Sequence, residues 1–530
     1  MTKYFSLSLI VLWVIFLWSC SSDRETGEAT PDAPEAHHSN PTTGGIPWFD
    51  GSIEDAFASA KRVNKPILLY WGAEWCPPCH ELKVTIFQRS EFIEQSKLFI
   101  PVYLDGDNER AQKYGEKFDV YGYPTVIIFD PQGVEITRIP GGMNIEQYIS
   151  VLELALNALH PVSDLVRSVR AGNTIRDDDW RLLASYSWGQ DRGKALGSDN
   201  KHAVLRTLAS GCPDRLTLSK SKLQMLAIDA WAREEEREEL LAPEYLAQID
   251  SILNDESLRW ENLNSFIFDG AHMLSALPDK NERPELRERI LKQLSAVIEN
   301  PTLDVLTRID ALYGWVEVNK VGLSEDEQIS ASQQSWVKEQ ATAAKAQLSS
   351  HQQHTALNSL WQLYFEAGLE DDARAILHEG ITVSKQPYYF MADMGYLEKK
   401  SGNAAEAINW YKKSWEVARG PATRIQWGTN YMFALIELQP DDLAEIGAAG
   451  SMLLVELEQQ QDGLYHRSRG RMDRLSQKLL DWAEPAEGDS TTGAQRRALL
   501  DTLRDKMDRL CEGFETESEA YNSCENFLDT

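Results

Sequence analysis

The sequence predicts an α/β domain near the amino terminus, followed by a long all-α region. Between residues 47 and 159, segments with helical periodicity alternate with short apolar runs that are typical of buried strands. From residue 161 onward, amphipathic helical segments follow one another without a convincing strand. The chain has 530 residues, which exceeds one ordinary hydrophobic core, so several domains are expected. A mixed sheet covered by helices, and then an array of helical hairpins, account for these patterns.

The first 46 residues predict a leader and a tether. Lys3 precedes an apolar run from Tyr4 to Trp18, which is shorter than the about 20 residues of a membrane-spanning helix but fits the core of a signal peptide. Residues 21–46 are rich in Ser, Thr, Pro, Gly and acidic residues without hydrophobic periodicity, so we expect a disordered linker. Residues 1–20 are then a signal peptide, and the chain is exported into a space where disulfides persist.

The end of this leader resembles the lipobox of bacterial lipoproteins. Leu17 lies three residues before Cys20 and the small Ser19 directly before it, although Trp18 departs from the residue types usual at its place. The resemblance implies that Cys20 is lipidated and becomes the first residue of a periplasm-facing protein. Ser21, rather than Asp, after the cysteine favours the outer membrane in that family. An uncleaved anchor or a plain signal peptide is the alternative.

The α/β domain, residues 47–159, is predicted from local patterns. The first helix has Ser52 as a candidate N-cap, and the turn at 130–133 separates the last two strands. In chain order, the sequence predicts helix 53–63, strand 67–71, a helix from the cysteine pair to about residue 90, strand 98–104, helix 108–118, strand 125–129, strand 135–139 and a helix from 145 to about 159.

Two cysteines stand at the junction of the first strand and the next helix, in Trp75-Cys76-Pro77-Pro78-Cys79-His80. Cys76 is placed at or beside the helix N-cap, where unpaired N–H groups favour a thiolate, the reactive form of cysteine. Cys79 is its neighbour one turn on, so it can attack a mixed disulfide at Cys76 and close the Cys76–Cys79 bond. The pair could also be half of a zinc site, but no second Cys or His pair lies nearby.

The strand, the cysteine pair and the segment Gly122-Tyr123-Pro124-Thr125 together resemble the thioredoxin fold. The segments 65–69 and 73–76 are most similar to the carboxy-terminal thioredoxin domain of periplasmic thiol:disulfide interchange proteins. The resemblance implies that Cys76 attacks and Cys79 resolves. It also implies that Pro124 is a cis-proline whose loop presents backbone to a substrate strand, and that Trp75 and Tyr123 support substrate binding.

Several residues depart from that family. Tyr70 stands where thioredoxin carries a buried Asp, and no buried carboxylate can be assigned from the sequence, so we expect Glu74 or water to take the proton of Cys79. Pro77 and Pro78 remove two N–H donors, leaving chiefly that of Cys79. We therefore expect a moderately lowered thiol pKa at Cys76, and a reductant or exchange catalyst. His80 either helps electrostatically or has no role.

The all-α region is predicted to comprise helices over 161–350, one of them over 260–277, helical repeats over 351–484 and C-terminal helices over 494–530. Within the repeats, residues of matching type recur at a spacing of 34: Gly368 with Gly402, Ala373 with Ala407, and Leu377 with Tyr411. These positions resemble the tetratricopeptide pattern, although Trp361 replaces an expected small residue. Two good repeats predict a degenerate helical solenoid, whose aromatic side chains either line a groove for a partner or pack between helices.

Three further cysteines lie in the all-α region. Cys511 and Cys524 flank a short turn and either pair as a structural disulfide or stay free. Cys212 is expected to be a buried, inert thiol. The acidic, histidine and arginine residues form no recognisable metal or nucleophile–base pattern, so we expect no metal and no cofactor. The formal net charge of −29, without a basic block, makes nucleic acid an unlikely class of partner.

These features predict an exported, lipid-anchored thiol–disulfide oxidoreductase whose helical repeats bind a partner. Its partners would be a protein disulfide as substrate and a membrane electron donor. One alternative is a non-catalytic, lipid-anchored adaptor in which the repeats bind a partner and the thioredoxin fold is a docking module. Another alternative is a periplasmic redox sensor.

Overall fold

The computed structural model of the protein describes residues 45–529, apart from 109, 278–281, 325–326, 461, 485–489, 515 and 517. The predicted signal peptide, the lipidation site Cys20 and nearly all of the predicted linker lie outside the described residues. In the described ranges, no helix combines the length and the apolar character that crossing a bilayer requires. The predicted fold class, an α/β domain followed by an all-α region, is confirmed.

The α/β domain contains a four-stranded mixed sheet with helices on both faces. Its elements are α1 Ile53–Val63, β1 Ile67–Gly72, α2 Pro77–Leu82, α3 Ser90–Ser96, β2 Ile100–Asp105, α4 Ala111–Lys117, β3 Thr125–Phe129, β4 Glu135–Ile139 and α5 Ile145–Leu156. A π-helical segment, Lys83–Phe87, continues from α2.

The strand order is β2-β1-β3-β4, with β1 parallel to β2 and antiparallel to β3. β1 is buried along its whole length, so successive side chains enter two different cores. Leu68 and Tyr70 pack with Phe87 on the face covered by α2 and its π-helical continuation, whereas Leu69 and Trp71 face the other core. Since α2 begins directly beyond the end of β1, this central strand fixes the position of the cysteine pair.

Two predicted bounds differ from the structure for local reasons. The strand expected from residue 98 begins at Ile100, because the N–H groups of Leu98 and Phe99 donate to Gln95 and Ser96 at the end of α3 and Leu98 is 48% exposed. The helix expected over 260–277 is divided into three helices. The first division lies at Asn262, whose side-chain amide donates to the Leu258 carbonyl at 2.8 Å and to the Ser221 hydroxyl at 2.9 Å. A side chain that bonds to nearby backbone competes with the helix.

The all-α part, here called the helical region, extends from α6 to α25. Its helices are α6 Val162–Arg170, α7 Asp177–Ala184, α8 Lys201–Gly211, α9 Thr217–Ala232, α10 Ala242–Asn254, α11 Glu256–Glu261, α12 Leu263–Phe268, α13 Gly270–Ala276, α14 Glu282–Ile298, α15 Val305–Lys320, α16 Ala331–Lys345, α17 Gln353–Glu366, α18 Glu370–Val383, α19 Pro387–Lys400, α20 Ala404–Val417, α21 Pro421–Leu438, α22 Leu443–Glu458, α23 His466–Ala483, α24 Ser490–Cys511 and α25 Glu519–Glu525.

The segment with the predicted 34-residue period forms two helical hairpins, α17 with α18 and α19 with α20. Gly368 and Gly402 stand in the two turns with φ of 75° and 80°, a left-handed conformation that favours glycine. Tyr411 and Trp415 of α20 are buried between helices, so these aromatic side chains pack in the core. The tetratricopeptide assignment itself stays a prediction.

Candidate active site

The cysteine pair lies at the start of α2, with Cys76 as the N-cap residue. The Cys79 N–H donates to Cys76 Sγ at 3.1 Å, and the two side chains are joined as a disulfide with a Cα–Cα distance of 5.2 Å. Pro77 and Pro78 occupy the first helical positions and carry no N–H, so the Cys79 amide is the donor closest to this sulfur along the helix. The site can therefore stabilise negative charge on Cys76 through one backbone hydrogen bond.

The predicted supporting residues lie around the pair. The peptide bond between Tyr123 and Pro124 is cis. The rings of Trp75 and Tyr123 lie 5.2 Å apart, and Tyr123 also contacts Trp71, with ring centres 5.6 Å apart. The Pro124 carbonyl accepts a hydrogen bond of 2.9 Å from the Gln190 side chain, which belongs to the loop after α7. The structure thus brings Trp75 together with Tyr123 beside the start of α2.

A buried carboxylate that sequence reasoning missed is Asp105, at the end of β2. It pairs with Gly72 across the sheet and accepts hydrogen bonds from the Tyr103 hydroxyl at 3.0 Å and the Asp107 amide at 2.9 Å. Burial raises the pKa of Asp105 to about 6. The available signal was the alternation of Tyr103 and Asp105 in a strand parallel to β1, which places Asp105 on the face of Tyr70. Tyr70 itself is fully buried, and Glu74 is exposed.

Asp107 joins the active-site tryptophan to the helical region. Its carboxylate accepts hydrogen bonds from Trp75 Nε1 at 2.5 Å and from the Thr423 amide and hydroxyl at 2.9 and 2.6 Å. Arg467 at the start of α23 donates to the same carboxylate at 2.8 Å, and its guanidinium lies over the Trp75 ring at 5.1 Å and the Tyr123 ring at 5.2 Å. We call Asp107, Trp75, Thr423 and Arg467 the Asp107 cluster. Sequence reasoning did not identify it.

The helical region also directly contacts residues 75–77, around the cysteine pair. The Thr355 hydroxyl of α17 donates to the Pro77 carbonyl at 2.9 Å, and Tyr389 of α19 stacks on Trp75 with ring centres 6.2 Å apart. Beside these contacts, Cys76 is 2% exposed and Cys79 is not exposed at all. In this arrangement, the cysteine pair is enclosed between the α/β domain and the helical region.

Two histidines meet at the same contact. The rings of His80 and His354 lie 4.8 Å apart, and His354 Nδ1 is 3.1 Å from the Ser384 hydroxyl. Burial, and to a smaller extent the neighbouring His80, lowers the pKa of His354 to about 4. Burial also lowers the pKa of His80, so neither ring carries a positive charge at neutral pH. A protonated His80 beside Cys76 is therefore disfavoured in this arrangement.

The remaining cysteines lie away from this site. Cys511 and Cys524 form a disulfide with an S–S distance of 2.01 Å that joins the end of α24 to α25. Cys212 is buried and unpaired, and burial raises the pKa of its thiol to about 11. Across the described ranges, no group of three or more His, Cys, Asp or Glu side chains is arranged to hold a metal ion.

Comparisons with known proteins assign the α/β domain to a family. A family model described as a thioredoxin-like domain matches residues 53–156. "Thiol:disulfide interchange protein DsbD" of Yersinia pestis (strain Pestoides F) is 32% identical over 98 residues, which cover 18% of this chain and 16% of that protein. The protein of the same name from Pectobacterium atrosepticum is 32% identical over 108 residues, covering 19% of this chain and 18% of that protein.

A solved structure, "DsbH Oxidoreductase", is 24% identical and covers 26% of this chain and 96% of its own, with a TM-score of 0.20. The chain spans less than a fifth of the length of the curated relatives it matches. The similarity to these relatives therefore concerns the α/β domain alone. Within those limits, residues 53–156 are a thioredoxin-like domain, and Cys76 and Cys79 belong to it.

Proposed function

We propose that the protein is a thiol–disulfide oxidoreductase that reduces or exchanges the disulfides of other proteins. The observation that carries the proposal is the placement of Cys76 at the N-cap of α2, with the Cys79 N–H on its sulfur and Cys79 within disulfide reach. The thioredoxin-like family of the domain and the thiol:disulfide interchange proteins it resembles support the same chemistry.

In the proposed reaction, the Cys76 thiolate attacks one sulfur of a substrate disulfide. The substrate S–S bond breaks, its other sulfur leaves as a thiolate, and a mixed disulfide forms on Cys76. Cys79 then loses its proton and attacks Cys76 Sγ, which releases the second substrate sulfur. Two electrons pass to the substrate, and the protein is left with the Cys76–Cys79 disulfide. A membrane electron donor, which is an external dithiol, would restore the reduced form.

We propose Asp105 as the acceptor of the Cys79 proton. Asp105 lies on the sheet face that α2 covers. Burial lowers the pKa of Lys83, the residue that follows α2, and the nearby negative charge of Asp105 opposes this shift. A carboxylate whose pKa is about 6 is ionised at neutral pH and is still basic enough to hold a proton briefly. Glu74, whose charge also acts on Lys83 and on Asp105, differs from Asp105 in being exposed.

The test of the exchange reaction is to trap its intermediate. Cys79→Ser removes the resolving thiol, so we expect mixed disulfides of Cys76 with other proteins to accumulate in cells and to vanish on reduction. Cys76→Ser should trap nothing, and Cys212→Ser is the matched control that leaves the reaction intact. If Cys79→Ser traps no protein, and the purified wild type does not reduce a model protein disulfide such as insulin, the oxidoreductase proposal is wrong.

The cellular location is part of the proposal. The leader-like sequence before Cys20 supports export, lipidation at Cys20 and a periplasm-facing anchor in the outer membrane. Cell fractionation checks this: the wild type should be in the outer-membrane fraction and incorporate radiolabelled palmitate, and Cys20→Ala should do neither. Palmitate labelling that persists in Cys20→Ala would contradict lipidation at this residue.

The second candidate function is an adaptor whose helical region binds a partner and whose thioredoxin-like domain does not turn over. The enclosure of Cys76 and Cys79 by the helical region favours this reading. The insulin assay separates the two candidates. The oxidoreductase reduces insulin and loses this activity after Cys76→Ser, whereas an adaptor has no insulin reduction to lose and binds its partner equally well after Cys76→Ser.

A further inference from the structure

We infer that the part of the helical region from α17 to α23 is a cap over the cysteine pair, and that it must move away before a protein disulfide can reach Cys76. Attack on a disulfide requires the Cys76 sulfur to approach a substrate sulfur along the S–S axis, which no protein substrate can do while Cys76 is 2% exposed. The helical groups that contact its neighbours Pro77, Trp75 and Asp107 come from α17, α19, α21 and α23, which are parts of one packed array.

The cap occupies the surfaces that the family resemblance assigns to a substrate. Tyr389 of the cap stacks on Trp75, with ring centres 6.2 Å apart. Arg467 lies over both Trp75 and Tyr123. A substrate strand and the helical region would therefore compete for the same aromatic groups, so the closed cap excludes the substrate.

The Asp107 cluster is the latch of this cap. Asp107 and Arg467 are each only 12% exposed, so their ion pair is largely shielded from water and depends on close geometry. Thr423 adds two hydrogen bonds to the same carboxylate, and Trp75 adds a third. A second group of contacts lies beside it, where the Gln112 amide donates to Asp462 at 2.6 Å and the Arg467 amide donates to the Gln112 side chain at 3.1 Å.

The latch is polar and incompletely satisfied, which suits a contact that opens. Nε and Nη1 of Arg467 are buried and have no hydrogen-bond partner among the described residues. A buried donor without a partner destabilises the closed form, and that cost disappears when the cap opens and water reaches the guanidinium. The closed form is thus held by charge and hydrogen bonds to Asp107 and weakened by the remaining donors of the same side chain.

The inference concerns access to Cys76, and its biological meaning rests on the proposed oxidoreductase function. The experiment therefore measures access chemically, without a substrate. Full-length Cys79→Ser protein is alkylated at pH 8 with iodoacetamide and, separately, with a maleimide on a polyethylene glycol chain, and the modification of Cys76 is followed by mass spectrometry. Cys212 is kept as a buried thiol that reports unfolding.

In the Cys79→Ser protein, Cys76 should be alkylated at least about tenfold more slowly in the native state than in guanidinium. The ratio of the two rates should be larger for the bulky maleimide than for iodoacetamide. The lowered thiol pKa expected for Cys76 would make the native protein react faster, so slower alkylation of the native protein can only come from coverage of Cys76. Native and denatured protein reacting at the same rate with both reagents would overturn the inference without any further variant.

The latch is tested by Arg467→Ala and Thr423→Val in the same background. Both should raise the alkylation rate of Cys76 severalfold while Cys212 stays protected. The matched control is Arg374→Ala, since Arg374 pairs with the buried Glu398 inside the helical region and touches no residue of the Asp107 cluster. If Arg467→Ala also exposes Cys212, its fold is lost and Thr423→Val decides. If Thr423→Val matches the control, the Asp107 cluster is not the latch.

Insulin reduction by the same proteins with Cys79 restored keeps the two proposals apart. Faster alkylation without any insulin reduction supports the cap and contradicts the oxidoreductase. Unprotected Cys76 together with rapid insulin reduction contradicts the cap and supports the oxidoreductase.

Discussion

Asp105 and Asp107 stand two residues apart and have opposite surroundings. Asp107 is met by the donors of Trp75, Thr423 and Arg467. Asp105 is buried below them, with the Tyr103 hydroxyl and one backbone amide as donors and the negative charge of Asp107 nearby. One carboxylate therefore binds the helical region, while the other lies in the layer beneath α2 as a weak acid.

Replacing Asp105 by Asn should change how stability depends on pH. The pKa of Asp105 rises from 3.8 to about 6 on folding, so the folded protein holds this proton more tightly. Its contribution to stability is fully present below the unfolded pKa and is lost as the pH rises through about 6. Between pH 4 and 7.5, the free energy of unfolding of Asp105→Asn should increase relative to that of wild type by about 2.4 kcal/mol.

Urea unfolding followed by tryptophan fluorescence measures this difference. Asp50→Asn, at an exposed position, supplies the control. A difference between Asp105→Asn and wild type that is the same at both pH values would contradict the placement of Asp105. If Asp105 also accepts the Cys79 proton, the resolution step of Asp105→Asn should be slower above pH 6.

At the scale of elements, the hairpins of the helical region depend on close helix contacts. A Cβ added to Gly380 in α18 would lie 2.5 Å from the ring of Phe390, which is fully buried in α19. Such a side chain cannot move without displacing its neighbours, because protein cores are close-packed. α18 and α19 therefore approach through the absence of a side chain at this one position.

Gly380→Ala should destabilise the helical region by about 1–3 kcal/mol, because of overpacking against Phe390. The control is Gly470→Ala in α23, where the added Cβ meets nothing within 4 Å. That change should stabilise the helix by about 0.5–1 kcal/mol, since glycine is a poor helix former. Thermal unfolding checks both signs, and equal shifts for the two variants would contradict the assigned contact.

Acidic side chains also meet at the contact between α2 and the helical region. Glu81 of α2 lies near Asp304 and Asp310, at the start of α15, and burial raises the pKa of Glu81 to about 7. His80 and His354 face the same contact with lowered pKa values, while Lys83 and Lys385 act on His80. The contact is thus weakened by the charge on Glu81 as the pH rises through about 7.

Glu81→Gln should tighten this contact above pH 7 and leave it unchanged at pH 6. The sign follows because a raised pKa means that the packed form favours the neutral acid, which Gln imitates at every pH. Hydrogen–deuterium exchange of α17, corrected for the intrinsic pH dependence, should be slower in the variant at pH 8. Glu94→Gln, on the exposed face of α3, is the control. Slower exchange at both pH values would exclude the titration of Glu81 as the cause.

The features that could be predicted from the sequence are those that depend on interactions within a few positions of the chain. The bounds of α1, β3 and β4 agree with their patterns, because capping, alternation and turn residues act within a few positions. The position of Cys76 at the N-cap follows from the same local signals. The division of the helix at Asn262 was missed, since it depends on a hydrogen bond to Ser221 in another helix.

The features that were not predicted all require distant parts of the chain to meet. Asp105 is buried because β2 lies parallel to β1 beneath α2. Nothing local in the segments around Thr355, Thr423 or Arg467 indicates that they lie over the dithiol. The sequence therefore indicated a surface for partners on the helical region but not that part of this surface covers the cysteine pair.

At the scale of the whole molecule, the last helices influence the active site indirectly. α25 packs on α23, which begins with His466 and Arg467 of the cap, and the Cys511–Cys524 disulfide joins α25 to α24. Closing this short loop restricts the unfolded chain and thereby favours the folded C-terminal helices. The disulfide thus supports the helix from which Arg467 reaches Asp107.

Cys524→Ser should lower the stability of the C-terminal helices by about 3 kcal/mol at most, as expected for a loop of this size. Hydrogen exchange should rise in α24 and α25 and less in α23, and a non-reduced digest of the wild type should contain the linked peptides. Cys212→Ser is the control, because it removes a buried thiol without breaking a bond. Wild-type exchange that is unaffected by a reductant would contradict a structural role for this pair.

The long separation in sequence between the dithiol and its cover has a consequence for biosynthesis. Gln112 and Asp462 meet across 350 residues, as do Glu116 and His466, so the thioredoxin-like domain is complete long before α23 exists. Domains near the amino terminus fold first as a chain emerges. A newly made chain therefore passes through a period in which Cys76 and Cys79 are uncovered while Cys511 and Cys524 are still unpaired. During that period, the uncovered pair can form a wrong disulfide with Cys511 or Cys524 of its own chain, until α23 covers it.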